Sequence, residues 1–188
     1  MRPLLLALVA LPSLAVAADQ TQEIMQQAFY RMNRQGDVWF ENGDFPRVIQ
    51  QLRFMNRLSP SDYEVATNLG WLLESVDVYG EALATYTRFR RLNPSDPDAS
   101  FPEANFYFAK KMYARVPALL EPSLKLHPHP NTFRILAHAY ERMDLLTESK
   151  RVWDEYIAKY PRDLPAEANL RRVINKLNGR HSAAPPGK

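Results

Sequence analysis

Four prolines set the frame for this chain. Pro60, Pro94 and Pro128 lie 34 residues apart, and Pro161 follows after 33. Leu58, Leu92 and Leu126 keep the same step, and so do Phe45, Tyr79 and Tyr113. The small residues Gly36, Gly70 and Ala104 keep it too, with Ala137 one residue short. Trp39, Leu73, Tyr107 and Tyr140 complete the set, and one deleted residue between the third and fourth units accounts for every interval of 33. A chain that returns to itself at this interval stacks one supersecondary unit on the next, so the expected architecture is a solenoid.

Each unit reads as helix, turn, helix. Ala66, Leu69, Gly70 and Leu73 fall at i, i+3, i+4 and i+7, which is one face of a helix. Ala82, Tyr86 and Phe89 do the same for the second helix. Starts are marked by the capping boxes Ser61-Asp62-Tyr63-Glu64 and Ser100-Phe101-Pro102-Glu103, and by Asp44 ahead of Phe45-Pro46. A Gly or Ala in mid-helix lets its partner helix approach closely. The aromatic near the start of the second helix (Tyr79 in the second unit) is expected to fill the gap beside it.

These residues resemble the tetratricopeptide repeats. The second unit carries Leu69-Gly70, Tyr79, Glu81-Ala82, Tyr86, Leu92 and Pro94 at the spacing of that family. The fourth carries Leu136-Ala137, Tyr140, Trp153, Tyr156 and Pro161, and the first keeps Gly36, Gly43-Asp44-Phe45, Ile49 and Pro60. The third departs from the pattern. Glu103 stands where Leu69 stands in its neighbour, and Pro117 and Pro122 fall in its second helix, where Pro122 is placed to kink it. The resemblance implies an all-α, right-handed α-solenoid of about four repeats, at about 29–62, 63–96, 97–129 and 130–162, within a repeat domain of 19–162. It implies no single function.

The ends extend this plan. Residues 20–28 lengthen the first helix. The stretch 163–179, with Asp163 as cap and Asn178-Gly179 as stop, reads as a closing helix that buries Leu170, Val173, Ile174 and Leu177, as a solenoid end requires. Residues 180–188 lack apolar content and are expected to be a disordered tail. Residues 1–18 read as a cleavable secretory signal: Arg2, an apolar run from Leu4 to Leu11, then Ala15-Val16-Ala17 for a signal peptidase. That run is too short for a stable membrane span. The mature chain is expected to begin at Ala18 or Asp19, in a bacterial periplasm or outside the cell. Loss of Arg2 lowers the formal charge from +3 to +2. Acids and bases are interspersed, and the run Arg88, Arg90, Arg91 reads as a solvated helix face, so no nucleic-acid partner is indicated.

The chain has no cysteine, which removes thiolate chemistry and thiolate metal sites. No phosphate loop, HExxH or nucleophile-elbow motif is present, and an enzyme is not expected. "HPHP" at 127–130 lies at an inter-repeat turn, so His127 and His129 are read as turn residues rather than metal ligands with His138. No cofactor is indicated.

Binding is the better candidate. In the family resembled, the first helix of each pair lines the inner groove. A second stripe on those helices gives Asn33, Asp37 and Phe40, then Thr67, Trp71 and Glu74. The third unit supplies Phe101, Asn105 and Phe108, and the fourth Arg134, His138 and Glu141. Large aromatics on such a face are typical of binding surfaces, although Trp71 and Phe101 could equally pack between neighbouring repeats. With Asp37, Glu41 and Glu74 toward one end and Arg134 and Arg142 toward the other, the groove would suit an extended or helical protein segment of mixed charge. A clamp for chaperone carboxyl termini is disfavoured. Asn68 sits at a clamp-like position, but Asp37 and Asp98 stand where an amide and a lysine would be wanted. The expected function is a non-enzymatic scaffold or adaptor of the cell envelope holding a partner protein. The alternative is a permanent subunit of a larger envelope complex, docked through outer positions that include Tyr86, Phe89 and Trp153.

Overall fold

The computed structural model describes residues 10–183, with side chains from 20 to 179. Arg2 and the start of the apolar run lie outside the described residues. The Ala15-Val16-Ala17 site is described only as helical backbone.

The chain forms two compact units, residues 1–59 and 60–188. In the first, α1 (Ala10–Glu41) pairs with α2 (Phe45–Leu58) across a tight turn. Gly43 supplies that turn with φ 73°, a conformation that costs only glycine nothing. Asp44 caps α2 by accepting from the Arg47 N–H at 3.4 Å. Val48, Ile49, Leu52 and Met55 of α2 are buried. Gln51 bridges the pair, donating its amide to the Met32 carbonyl at 2.7 Å.

The second unit holds the other repeats. α3 (Tyr63–Ser75) pairs with α4 (Tyr79–Leu92), and α7 (Pro130–Arg142) pairs with α8 (Leu146–Lys159). Asp62, rather than Ser61, caps α3 through the Val65 N–H at 3.0 Å. Ser100 makes no side-chain cap bond, its backbone already lying in the helical region at φ −83° and ψ −17°, and the Glu103 carboxylate that would close the box is committed elsewhere. It is buried and holds Arg90 of α4 at 2.8 Å. Thus one member of the supposedly solvated arginine run ties α4 to α5 (Phe101–Ala109).

The weak repeat is visible as broken geometry. After α5, the chain makes a 3-10 turn at Tyr113–Arg115, a short α6 (Val116–Leu120) and a second 3-10 segment at Pro122–Leu126. Pro122 lacks the N–H that would continue α6, and its ring crowds the preceding turn. Ionic contacts brace the gap. Glu121 accepts from the Tyr140 hydroxyl at 2.6 Å and pairs with Arg151 of α8.

One core runs from α5 through the closing helix. Val116, Leu120, Phe133, Leu136, Val152, Trp153, Tyr156 and Val173 belong to it and are fully or almost fully buried. The outer placement expected for Tyr86, Phe89 and Trp153 is overturned, since they are 5%, 1% and 0% exposed. A second helix in a stacked repeat has neighbours on two sides, so both of its apolar faces are consumed. The gap beside Gly70 is filled by Tyr86 from mid-α4, not by Tyr79. A Cβ on Gly70 would lie 2.2 Å from the Tyr86 ring. Tyr79 instead carries the Lys110 ammonium over its face at 3.3 Å.

The closing helix α9 spans Leu164–Ala183. Asp163 caps it through the Ala166 N–H at 3.1 Å. Val173 is fully buried, with Leu170 and Leu177 packed against the same core, while Ile174 is half-buried. The stop expected at Asn178-Gly179 does not occur, and residues 180–183 are helical rather than a loose tail. A single exposed glycine costs a helix only about 1 kcal/mol, and nothing crowds Gly179. The remainder of the expected tail, 184–188, lies outside the described residues. Among the described residues no helix is long and apolar enough to cross a membrane.

Candidate functional site

The site begins on the first helices of the second unit. On α3, core-facing Leu69, Leu72 and Leu73 are buried, while Trp71 remains 53% exposed. Thr67 bonds back to the Tyr63 carbonyl at 2.8 Å, and Glu74 accepts from the Tyr86 hydroxyl at 2.9 Å. Glu74 is thereby partly withdrawn into the helix pair. On α5, Asn105 is exposed, and Phe101 and Phe108 are half-buried. Phe108 meets Tyr113 edge to face at 5.2 Å. In the first unit, Asn33 and Asp37 of α1 are exposed, and Phe40 rests edge-on against Phe45 at 5.4 Å.

Three of the expected residues converge. Phe108, His138 and Glu141 line a cavity of about 590 Å³ together with Arg142, Arg172 and Lys176. The sequence pattern works here because His138 and Glu141 share one face of α7. The His138 ring packs edge-on to Trp153 at 5.2 Å. Burial lowers its pKa, opposed by nearby Glu141, so at neutral pH the imidazole is uncharged.

Glu141 is not the open acidic contact its position suggested. Its side chain is 8% exposed. Arg172 grips it through Nε at 3.0 Å and Nη2 at 2.8 Å, and Lys176 adds a third bond at 2.8 Å. Those hydrogen bonds, led by Arg172, hold its pKa down to about 2. Arg134 is a second correction. It was expected at the basic end of a groove, but its guanidinium reaches the Asp163 carboxylate at 2.5 Å and the Tyr156 hydroxyl at 2.7 Å. It therefore locks α7 to the start of the closing helix.

The basic end exists with different members: Arg142, Arg172 and Lys176. Arg172 and Lys176 were not anticipated because α9 lies outside the repeat period. Their i, i+4 spacing on the closing helix was the available signal.

At the turn before α7, His129 accepts the Asn131 N–H through Nδ1 at 3.2 Å and donates its own N–H to Asp98 at 2.8 Å. His127 takes a left-handed φ of 58°. Both act as turn residues, and Asp98 is spent in the same turn. Among the described residues no cluster of His, Asp or Glu is arranged to hold a metal ion.

No family model and no curated protein sequence matches the chain. Solved structures do match. MamA from Desulfovibrio magneticus RS-1 superposes with a TM-score of 0.63 at 16% identity, over 81% of this chain and 86% of that one. A tetratricopeptide repeat protein from Parabacteroides merdae ATCC 43184 gives a TM-score of 0.68 at 16% identity, over 83% and 62%. The first repeat domain of Spaghetti (RPAP3), bound to the HSP90 peptide SRMEEVD, gives 0.55 at 21% identity, over 61% and 91%. The fold is that of the tetratricopeptide-repeat proteins, an all-α solenoid of helix–turn–helix units with the right-handed course typical of that class.

Proposed function

We propose that the protein is a non-enzymatic scaffold that holds a segment of another protein against the first helices of its repeats. The observation carrying this reading is the second face those helices keep after packing. Trp71 stays half open to solvent while its neighbours are buried, and Phe108 and His138 open onto a cavity. A large exposed aromatic on a first helix is the chemistry of an anchor residue. One solved neighbour is bound to a peptide, which agrees with this use of the fold. Affinity capture from the native host tests it. Trp71→Ala should lose most of the captured partner, on the scale of about 2 kcal/mol or more for an anchor aromatic, while thermal unfolding shifts little. Unchanged capture with a lowered midpoint would identify Trp71 as packing.

We further propose export to the cell envelope, on the strength of Arg2, the apolar run and the small-residue site at 15–17. Intact-mass measurement should find Ala18 or Asp19 at the amino terminus; a retained Met1 would refute export through this signal.

The alternative, permanent membership of an envelope complex, is favoured by the first unit. Ile24, Tyr30, Val38 and Phe54 are 67%, 64%, 48% and 45% exposed. An apolar cleft of about 660 Å³ between α1 and α2 is lined by Met32, Trp39 and Phe54. A permanent partner would survive high-salt washing, whereas a transient one would be released.

A further inference from the structure

Helix α1 has two faces, and its own unit covers only one. Met25, Phe29, Met32, Gly36 and Trp39 share one helical stripe, and all are half-buried or buried. Gly36 lies against Gln51 of α2, and Gln51 reaches the Met32 carbonyl, so this stripe faces α2. The other face carries Glu23, Ile24, Gln27, Tyr30, Arg31 and Arg34 at i, i+1, i+4, i+7, i+8 and i+11. Ile24 and Tyr30 are 67% and 64% exposed. A hollow of about 580 Å³ beside them is lined by α1 residues from Gln27 to Val38. Arg31 and Arg34 make no hydrogen bond or ion pair with any described residue. Glu23 accepts the Gln27 amide of its own helix, at a long 3.4 Å. Length sharpens the point. The two helices have 32 and 14 residues, about 48 Å against about 21 Å. More than half of α1 therefore extends past α2, and a helix with no packed face is marginal in water.

We propose that this face joins two copies of the chain as an antiparallel helix pair whose two-fold axis passes beside Gln27. The order of charges along the helix selects the occupant. An acid stands at one end, Glu23, and two arginines at the other, Arg31 and Arg34. Antiparallel pairing about Gln27 carries each Glu23 to the partner's Arg31 and the partner's Arg34. It also sets each Ile24 beside the partner's Tyr30, since the two lie equally far from Gln27. A parallel pair would stack arginine on arginine, and a closed two-fold contact must be complementary to itself. Opposite charges in register fix the direction of the pair. The overlap across 20–34 is about 21 Å long, too short to reach the roughly 800 Å² per partner of a stable complex. The expected dissociation constant is therefore about 1–100 μM. Every residue in the contact lies beyond the expected cleavage point, so the mature chain keeps it. The inference goes beyond the scaffold reading and does not use the Trp71 face. It assigns to a second copy the face of α1 that the alternative reading gives to an envelope partner. Two joined copies present the Trp71 face twice, so a partner with two matching segments gains avidity.

Sedimentation equilibrium on the chain purified from its native host tests the proposal. The parent should dimerise, more weakly as salt rises. Glu23→Arg should weaken the dimer about tenfold or more, because it sets like charges opposite one another. The double reversal Arg31→Glu with Arg34→Glu should do the same. The two reversed chains, mixed, should associate with each other at about the strength of the parent, since each acid again meets arginines. Cysteine scanning reads the register on a chain that has no cysteine of its own. Gln27→Cys should oxidise to a linked dimer faster than Gln20→Cys. Gln20→Cys mixed with Arg34→Cys should cross-link between the two chains.

Any of several results would overturn the proposal: a parent chain still monomeric at about 0.1 mM, full dimer strength in either reversed chain, reversed chains that stay apart when mixed, or faster oxidation at residue 20 than at 27. A protein of different sequence that copurifies with the parent and is lost from Glu23→Arg would overturn it too, by giving this face another occupant. Failure of the scaffold reading is a separate result. It shows as intact capture in Trp71→Ala and leaves the dimer unchanged.

Discussion

Gly70→Ala is the sharpest probe of how these helices pair. The added methyl would lie 2.2, 2.3 and 2.7 Å from Cε1, Cζ and the hydroxyl of Tyr86. Contacts that short force a shift. The obstacle is a ring only 5% exposed, and its hydroxyl is anchored to Glu74 at 2.9 Å. Overpacking of this kind costs about 1–3 kcal/mol. Displacing the hydroxyl forfeits roughly another 1 kcal/mol, and the better helix propensity of alanine returns about 1 kcal/mol. The expected net loss is about 1–3 kcal/mol, or roughly 2–15 °C in melting temperature for a domain of this size. Two controls share the assay, thermal unfolding followed by circular dichroism. At Gly36 the methyl meets the Gln51 amide at 2.7 Å; giving up its bond to the Met32 carbonyl costs about 1 kcal/mol, which the helix propensity of alanine offsets by about 1 kcal/mol, so Gly36→Ala should be near neutral. At Gly80 nothing lies within 4 Å, so Gly80→Ala should be neutral or slightly stabilising. Tyr86→Leu should abolish the extra cost of Gly70→Ala, giving strong non-additivity. Gly70→Ala as stable as the parent, with Tyr86 in place, would refute the close approach.

Three further outcomes are expected. Arg90→Met should destabilise by about 2–3 kcal/mol because it strands the buried Glu103 carboxylate, and adding Glu103→Leu should recover most of that in denaturant unfolding. Amide exchange in the free protein should be fastest, among the helical segments of the second unit, across 113–126, where the helix is broken and short; slow exchange there would contradict the broken geometry. Glu141 has a pKa of about 2 in the fold, against about 4.3 when unfolded. Its contribution is therefore complete above about pH 4.3 and fades as pH falls toward 2. The stability gap between parent and Glu141→Gln should be present at pH 7 and shrink across that window.

The repeat period made the fold legible because it records packing that recurs. In the second unit Gly70, Tyr86 and Leu73 are small, large and buried because α3 and α4 pack closely there, and the recurrence of such residues at the repeat interval carries the pairing geometry. The signal was weaker wherever one residue type serves two purposes. The spacing puts Tyr86 and Phe89 on the periodic stripe of the second helix with Ala82, yet the same residues, with Trp153, also offer themselves as outer positions. A helix with neighbours on two sides needs two apolar stripes, and amphipathicity does not say which is outside. The capping boxes misled in a similar way. Ser100 and Glu103 have the right spacing, yet an arginine one helix away offers the glutamate a stronger partner than a backbone N–H.

Arg134 and Arg142 show why the candidate site was only half legible. Both lie on α7, and spacing places the α-carbon, not the end of a long side chain. Arg134 sits close enough to Asp163 and Tyr156 to be captured by them, a fact set by the crossing of α9 over α8 rather than by anything local to α7. Arg142 lies two turns further on, and there the closing helix presents Arg172 and Lys176 instead of a carboxylate. Glu141 takes up those two, and Arg142 faces the cavity with no side-chain partner among the described residues. The same helix whose cap pairs with one arginine therefore lines the positive cavity beside the other. Periodic sequence can specify the wall of such a cavity, but its charge is decided by the one helix that does not repeat.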